Sequence, residues 1–533
     1  MNNADLIVAT LKKAGITHGF GIPSGNVLPL MEAMRTGGID FVLTAHEGSA
    51  GFAADVSGRQ TGKPGFCLAT LGPGATNLAT GVGNAWLDRS PMIAITCNLN
   101  TPQLGRRIQM WIDHHQLFKP ITKASFALDF DNVGETVAKA VSLALSEPMG
   151  PVHLDLPEDV ALAPAAGDIP DLPALQKLSN ATTDSLDKAA AILDKAERPI
   201  AIIGSSAMRI PDQSVIRDFI EKWQLPFMTT TMAKGLIDDG HPLALGCIER
   251  GKRQMQRAFC AKADLIVGVG YDTIEVEYEA WIGATPLLQI DIDPVDIDNT
   301  VQLQGQVTGE LSHSLTDLAR RDASGNSWQK EELEAHRSSF QTALRPSADG
   351  FQSHQAIDAV RRALPGDGIL SFDVGAHTHQ IASQWPAHGP RSFLITNGWS
   401  SMGFGLPAAI AAKLAEPEKP VVCLIGDGCF QMTCGELATA KRAGISLPVV
   451  VLDDRWLGLI RVKQIRRQLD IYGTALGEID YDEPPAHYFG VPVVGVKSPE
   501  ALENALKEAL AADGPTVIEA RVDSDHYIDT VFD

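Results

Sequence analysis

Two acidic residues follow two apolar runs near the C-terminal end of the chain. Asp427 ends the sequence VVCLIGD (421–427), and Asp454 ends PVVVLDD (448–454) after one intervening helical segment. One crossover helix joins adjacent parallel strands, so we expect both carboxylates at the same edge of a sheet. Two carboxylates on a loop suited to phosphate predict a Mg²⁺ ion held jointly by protein and phosphate. The alternative interpretation of Asp453 and Asp454 is a helix cap or a solvated turn.

Glycine-containing loops in the same region predict an anion site. In GDG (426–428) the glycines allow the backbone to approach a ligand, and the following helix offers free N–H groups. SFDVGAH (371–377) has the same form, with His377 placed to face a phosphate. A plain turn or an ordinary strand exit remains the alternative for each loop.

A second candidate site lies in the N-terminal third. Glu47, in HEGSAGFAADVSG (46–58), is surrounded by alanine, glycine and serine, which indicates tight packing. An acid in such a position is costly to bury without a partner. The alternative is an acid favoured by a helix N-terminus. The nearby LGPGATN (71–77) predicts a loop that contacts a ligand or a partner subunit.

The bulk composition limits the classes of function. The chain has 533 residues, a formal net charge of −21 and 44% hydrophobic residues. This length predicts about three domains. The acidic balance argues against nucleic acid or an anionic membrane as partner. The sequence shows neither a secretory signal nor an apolar run long enough to span a membrane, and its seven cysteines are scattered, so we expect a cytoplasmic protein.

The elements that must position these residues follow an α/β pattern. Short β-branched runs alternate with alanine-rich helical periods, which is typical of parallel sheets covered by helices. Composition shifts divide the chain into predicted domains at residues 1–165, 183–320 and 351–533. The middle block has a strand and loop, IIGSSAMR (202–209), without the G-x-G-x-x-G of a nicotinamide-binding domain.

The motif set resembles a known family. HEGSAGFAADVSGR, LGPGATN, GWSSMGFGLPAAI, GDGCFQM and LDDRW occur in order over nearly the whole chain. They resemble the thiamine diphosphate enzymes of the acetolactate synthase, pyruvate oxidase and 2-oxo acid decarboxylase family. The resemblance implies three doubly wound parallel-sheet domains: pyrimidine-binding, central Rossmann-like and diphosphate-binding. It also implies a homo-oligomer, a dimer or tetramer, with the active site between two subunits.

The resemblance assigns roles to individual residues. Glu47 matches the catalytic glutamate that hydrogen-bonds the cofactor's aminopyrimidine. Asp427, Asp454 and the backbone carbonyl of Trp456 match the Mg²⁺ ligands. The other cofactor-binding residues it implies are Pro23, Asn77, Gly375, Ala376, His377, Ser400, Met402, Gly426, Gly428, Cys429 and Leu457.

The substrate side departs from the synthase pattern. Met110, next to Gln109, stands where the synthases place a glutamine, and His114 follows shortly after. Gly25 stands where several decarboxylases carry an acid or serine, which favours carboligation, and Asn26 could face the substrate. These five residues are the candidate substrate contacts. A structural role for His114 and His115 is the alternative, and adjacent histidines point in different directions, which argues against a metal site built from that pair.

The implied reaction is decarboxylation of a 2-oxo acid, with pyruvate the expected donor, and joining of the remaining fragment to a second carbonyl. The segment GYDTIEVEYEAW (270–281) resembles the catabolic acetolactate synthases that lack flavin, so no FAD is expected. The alternatives are a decarboxylase or lyase for another 2-oxo acid, a sulfonated aldehyde or an acyl-CoA, and a non-catalytic homologue that only binds the cofactor.

Overall fold

In a computed structural model of the protein, the described residues are 1–276, 279–347, 349–477, 485–523 and 525–531. Two residues of the segment GYDTIEVEYEAW, 277 and 278, therefore lie outside them. The described residues form three sheets. No helix in this part of the chain is both long and apolar enough to cross a membrane.

The first sheet is wholly parallel, with strand order β2-β1-β3-β4-β6-β5. Its strands are β1 (His18–Gly21), β2 (Asp40–Leu43), β3 (Gly65–Thr70), β4 (Met92–Asn98), β5 (Ala124–Ala127) and β6 (Pro151–Pro157). The helices around it are α1 (Asn3–Lys13), α2 (Leu28–Gly37), α3 (Glu47–Thr61), α4 (Pro73–Leu87), α5 (His114–Phe118), α6 (Val133–Leu145) and α7 (Glu158–Leu162). The central strands β3 and β4 are buried along nearly their whole length because helices cover both faces.

The second sheet is also parallel, with order β12-β11-β10-β7-β8-β9. Its strands are β7 (Pro199–Ile203), β8 (Phe227–Thr229), β9 (Ala244–Cys247), β10 (Leu265–Val269), β11 (Leu287–Asp291) and β12 (Leu303–Thr308). Its helices are α8 (Thr183–Lys195), α9 (Ser205–Met208), α10 (Ser214–Lys222), α11 (Arg253–Cys260), α12 (Glu279–Ile282) and α13 (Leu311–Ala319), followed by α14 (Lys330–Ala343).

The third sheet has order β14-β13-β15-β16-β19-β18-β17 and is parallel except for β17 at its edge. Its strands are β13 (Ile369–Phe372), β14 (Phe393–Leu394), β15 (Val421–Gly426), β16 (Pro448–Asp453), β17 (His487–Tyr488), β18 (Val491–Val496) and β19 (Thr516–Arg521). Its helices are α15 (Ser353–Ala363), α16 (Ala376–Gln384), α17 (Gly405–Ala415), α18 (Asp427–Thr433), α19 (Glu436–Arg442), α20 (Gly458–Arg466), α21 (Pro499–Leu510) and α22 (Tyr527–Thr530).

Three doubly wound, largely parallel sheets confirm the predicted α/β fold class. One sheet lies within each predicted segment, and the boundaries at 1–165, 183–320 and 351–533 stay predictions.

Small residues let two helices of the first unit pack closely, and polar contacts join this unit to the third. In α3 and α4 the helix backbones meet at Gly51 and Gly81, where an added Cβ would lie within 2.7 Å of the opposite backbone. The largely buried Arg59 guanidinium forms an ion pair with Asp88 of the same unit at 2.7 Å and donates to the Ile395 carbonyl of the third unit at 2.8 Å. Asp88 in turn accepts from the Gly398 N–H of the third unit at 2.7 Å. The two units are therefore held in a fixed relation by buried polar contacts.

Candidate active site

The carboxyl ends of β13, β15 and β16 form the wall of one cavity of about 230 Å³. All twelve site candidates of the C-terminal block line it: Gly375, Ala376, His377, Ser400, Met402, Gly426, Asp427, Gly428, Cys429, Asp454, Trp456 and Leu457. The register explains the convergence, because Gly426 of β15 pairs with Leu452 of β16, so both chains leave the sheet at the same level. Ligands of open α/β sheets bind at such strand ends.

The two predicted metal ligands are held by backbone N–H groups. Asp427 accepts from the Gly428 N–H and the Arg455 N–H, each at 2.8 Å, and Asp454 accepts from the Trp456 N–H at 2.8 Å. Burial and the charges of the neighbouring acids raise the pKa of Asp427, and burial raises the pKa of Asp454. Raised pKa values mean that Asp427 and Asp454 lose their protons less readily than isolated carboxyl groups when no cation is present. Together the two carboxylates form a donor set suited to a hard divalent cation.

Asp453 differs from its neighbour. It is the last residue of β16, it is buried, and its carboxylate accepts from the Arg521 guanidinium at 3.2 Å. Asp454 lines the cavity and Asp453 does not. The two adjacent acids therefore have separate environments, and a shared capping role does not describe them.

His377 supplies an unmatched polar atom to the cavity. Its ring lies against Gly375 and Gly426, and a Cβ added to either glycine would come within 2.6 Å of it. Its buried Nε2 has no hydrogen-bond partner among the described residues. Burial lowers the pKa of His377 to about 4, so the neutral ring can donate one hydrogen bond. An orphaned ring nitrogen beside two glycines fits an anionic group of a ligand.

Met402 and Leu457 give the cavity an apolar wall. A Cβ on Gly428 would lie 3.5 Å from Met402 Cε and 2.9 Å from Leu457 Cδ2. The preceding Ser400 has φ of 50°, a left-handed backbone that fixes the turn before Met402. This apolar wall therefore suits an apolar ring of a bound ligand.

Sequence reasoning missed Asp373. This buried acid accepts from the backbone N–H groups of Val374 at 2.7 Å, Gly403 at 3.1 Å and Gly405 at 2.8 Å. It therefore ties the loop that carries Met402 to the loop that carries His377. The available signal was its position directly after the apolar run of SFDVGAH.

The N-terminal candidates gather at the carboxyl edge of the first sheet. Glu47 begins α3 and is buried, and its Oε2 accepts from Asn77 Nδ2 at 3.0 Å. A Cβ on Gly74 would lie 3.3 Å from the other carboxylate oxygen. Pro23 follows β1 and is exposed. Asn77 thus supports Glu47 directly, a contact that the sequence did not predict.

The candidate substrate residues of the N-terminal block occupy different environments. Asn26 donates to Glu158 at 2.9 Å, and a Cβ on Gly25 would meet no atom within 4 Å. Gln109 is exposed and Met110 is 40% exposed, with φ of 65°. The structure thus leaves open space at Gly25.

His114 differs from the other substrate candidates because it is buried beneath the loop after β3. There its Nε2 accepts from the Gly72 N–H at 3.3 Å. Sequence reasoning missed its partners Thr96, Asn98, His153 and Asp155, which lie on β4 and β6.

Among the described residues, Glu47 is absent from the lining of the cavity that holds Asp427. Glu436 of the third unit accepts from the N–H groups of Ala45 and His46 at 3.0 and 3.2 Å, and so joins α19 to the segment that precedes Glu47.

Comparison with known proteins identifies the three units. Residues 1–117 match the thiamine pyrophosphate enzyme N-terminal TPP binding domain, residues 186–318 its central domain and residues 373–520 its C-terminal TPP binding domain.

Curated relatives extend over nearly the whole chain. A probable acetolactate synthase large subunit of Methanococcus aeolicus is 30% identical over 98% of this chain and 92% of its own length. The acetolactate synthase isozyme 1 large subunit of Escherichia coli strain K12 is 30% identical over 98% and 94%. The acetolactate synthase large subunit of Lactococcus lactis is 29% identical over 99% and 93%. The chain therefore belongs to the thiamine pyrophosphate enzymes, in the family of the acetolactate synthase large subunits.

Proposed function

We propose that the protein is a thiamine diphosphate- and Mg²⁺-dependent enzyme that decarboxylates pyruvate and joins the remaining fragment to a second pyruvate, giving acetolactate. The observation that carries this proposal is the cavity at the ends of β13, β15 and β16. There two acids with raised pKa values and an orphaned histidine nitrogen face the same space. Such a donor set fits a diphosphate bridged to the protein by a divalent cation.

The residues of the cavity would divide the work of holding the cofactor. Asp427, Asp454 and the Trp456 carbonyl would hold Mg²⁺, and His377 with the N–H groups near Gly428 would hold the diphosphate. Met402 would support the ring portion from its apolar side. The bound cofactor supplies a nucleophilic carbon and an electron sink for decarboxylation.

Glu47 would hold the proton at N1′ of the cofactor's aminopyrimidine. Glu47 is buried, and the Asn77 amide donates to one of its two carboxylate oxygens. The second oxygen is therefore available for that bond. Positioned acid–base groups contribute about 10²- to 10⁴-fold to a rate. Glu47 is therefore the residue whose replacement should cost the most turnover without disturbing the cavity of Asp427.

The open space beside Gly25 favours carboligation over release of an aldehyde. A side chain there would face no neighbour within 4 Å, so the glycine leaves room for an acceptor. The competing function is decarboxylation or cleavage of another 2-oxo acid, a sulfonated aldehyde or an acyl-CoA. Product analysis across a panel of donors distinguishes these functions from acetolactate formation.

We also propose that the central unit binds no FAD. The loop after β7 leads into α9, where a dinucleotide's pyrophosphate lies in Rossmann-like folds. Here the Glu275 carboxylate accepts from the Ser205 N–H at 2.8 Å and approaches Gly204 so closely that an added Cβ would lie 2.7 Å from it. The Glu275 side chain thus occupies the backbone N–H and the space beside the glycine that a pyrophosphate would need, so the purified protein should lack flavin absorbance in the visible range.

The separation of Glu47 from the cavity of Asp427 supports an active site shared by two copies of the chain. Exposed apolar side chains near the cavity, including Met432 and Ile460, favour burial against such a partner. A homodimer is the smallest assembly that joins the two halves, and a tetramer would pair two dimers.

The test of the proposed function is CO₂ release from pyruvate, with identification of the condensation product. We expect turnover to require thiamine diphosphate and Mg²⁺ and to fall at least about 100-fold in Glu47→Gln. The exposed Glu32→Gln is the matched control. Mixing Glu47→Gln chains with Asp454→Ala chains should restore part of the activity, because one of the two shared sites is then intact. Full pyruvate turnover by Glu47→Gln alone contradicts the proposal.

A further inference from the structure

A buried polar cluster lies directly behind the loop that supports Glu47. It consists of His114, Thr96, Asn98, His153 and Asp155, each at most 5% exposed. These residues come from α5, β4 and β6. Neither the proposed cofactor cavity nor the contact between Glu47 and Asn77 explains so many buried polar groups.

The hydrogen bonds define the tautomer of the neutral His114 ring. Its Nε2 accepts from the Gly72 N–H at 3.3 Å, so in the neutral ring the proton lies on Nδ1. That nitrogen lies 2.9 Å from Asp155 Oδ1 and 2.9 Å from the Thr96 hydroxyl. Nearby groups, chiefly His114, lower the pKa of Asp155 despite its burial, so Asp155 is ionised and accepts the Nδ1–H. The carboxylate therefore orients the ring with its lone pair toward Gly72.

Asp155 is itself fixed from the other side. Asn98 Nδ2 donates to both of its oxygens, at 3.1 and 3.0 Å. Thr96 also contacts His153 Nε2 at 2.8 Å, and burial lowers the pKa of His153 to about 3, which keeps that ring neutral. The charged and titratable groups that face His153 are Asp155, His114 and His115.

These same contacts argue against a metal ion between His114, His153 and Asp155, although their ligand atoms all lie within 4.8 Å of one another. The Thr96 hydroxyl contacts all three side chains, at 2.8 to 3.3 Å, and so takes the central position. The Asn98 amide directs its N–H groups at the carboxylate that would bind the cation. A hydrogen-bonded brace accounts for the cluster better than an ion.

Gly72 connects this brace to Glu47. It is the N-terminal cap of α4, with φ of 60°, and the Met110 carbonyl lies so close that a Cβ would be 2.3 Å from it. Two residues later comes Gly74, where an added Cβ would lie 3.3 Å from the Glu47 carboxylate, and one turn further Asn77 donates to that carboxylate at 3.0 Å. The position of the Gly72 N–H therefore sets the position of the groups that hold Glu47.

We propose that His114, oriented by Asp155, is a positioning residue that fixes the first turn of α4 and through it Glu47. This inference deepens the proposed function and depends on it, because it assigns His114 an indirect role in activating the cofactor. It also replaces direct substrate contact as the role of His114. Loss of the Nε2 acceptor should impair the step that depends on Glu47 and leave substrate affinity unchanged.

The experiment measures exchange of the C2 proton of bound thiamine diphosphate with D₂O by NMR, together with kcat and KM for pyruvate. His114→Leu removes the acceptor, whereas His114→Gln keeps an acceptor and a donor but no ring. We expect His114→Leu to lower the exchange rate and kcat together by about 10- to 100-fold with an unchanged KM, and His114→Gln to recover most of that loss. Gln116→Ala, at an exposed residue of the same helix, is the matched control and should exchange at nearly the wild-type rate.

Three results would overturn the proposal. One is wild-type C2 exchange in His114→Leu, and another is a raised KM with normal exchange, which would make His114 a substrate contact. The third is an equal loss in Gln116→Ala, which would indicate general disturbance of α5. If His114→Leu does not fold, Asp155→Asn replaces it and should lower exchange in the same direction, and normal exchange in that variant also overturns the proposal. Failure of the wild-type protein to bind thiamine diphosphate would instead refute the proposed function.

Discussion

Replacing Glu275 by glutamine should make the stability of the central unit less dependent on pH. The Glu275 carboxyl is buried, and it accepts from the Ser205 N–H at 2.8 Å, the Asp272 N–H at 3.1 Å and the Thr230 hydroxyl. Burial raises the pKa of Glu275 from its ordinary 4.5 to about 8, despite these three donors. The folded protein therefore holds a proton on Glu275 over a pH range in which the unfolded chain has released it.

The sign and size of the effect follow from this difference in pKa. The stability contribution of Glu275 is fully present below about pH 4.5, and it is lost as the pH rises through about 8. At 1.36 kcal/mol per pKa unit, the complete loss is on the order of 5 kcal/mol. Glutamine carries no charge at any pH, its oxygen can accept from both N–H groups, and its amide can donate to Thr230. The advantage of Glu275→Gln should therefore be small near pH 4.5 and reach a few kcal/mol near pH 8.5.

The assay is urea unfolding of the apoprotein at pH 5 and pH 8.5. Hydrogen exchange of the amides of β7 and β10 provides a local measure, because a chain with three units need not unfold in one step. Glu197→Gln, at an exposed glutamate of the same unit, is the matched control. If the two proteins differed equally at both pH values, or if the wild type were the more stable at pH 8.5, the electrostatic argument would be refuted.

Two further predictions concern Asp454 of the cavity and Arg59, which joins the first and third units. Asp454→Asn should still bind thiamine diphosphate with Mg²⁺, whereas Asp454→Ala should lose binding. Isothermal titration measures both, and normal binding by the alanine variant would show that the assignment of Asp454 is wrong. Arg59→Met should lower the free energy of unfolding by about 3 to 5 kcal/mol, because Asp55 and Asp88 would stay buried without their cation. A thermal unfolding curve for Arg59→Met that overlays the wild-type curve would contradict that account.

The residues that end parallel strands could be predicted from the sequence, because local patterns determine them. An apolar run followed by glycine and an acid marks a strand exit, and one helical crossover connection, here α18 and α19, places the next exit beside it. Asp427 and Asp454 were placed together by this rule, and the register of Gly426 with Leu452 confirms it. The roles of these residues toward cofactor and metal stay predictions.

Contacts between distant segments could not be predicted in the same way. Asp373 holds Gly403 and Gly405 across thirty residues of chain or more, and nothing in SFDVGAH indicates which N–H groups it will accept from. Glu275 occupies the loop after β7 only because β10 lies next to β7 in the sheet. Both positions depend on sheet order, which periodicity along one chain does not determine.

The histidines of the first unit show the same limit within a single motif. His114 and His115 are adjacent in sequence, but their side chains contact different partners, as expected for neighbours at the start of a helix. His114 faces Asp155 at 2.9 Å, and His115 Nδ1 lies 2.6 Å from the Ser125 hydroxyl. The histidine that joins them is His153, which bonds Thr96 on one side and Ser125 on the other. The adjacent pair of histidines therefore made His114 a candidate, although adjacency in sequence says nothing about its partners. The role of His114 depends on which strands the fold places beside it.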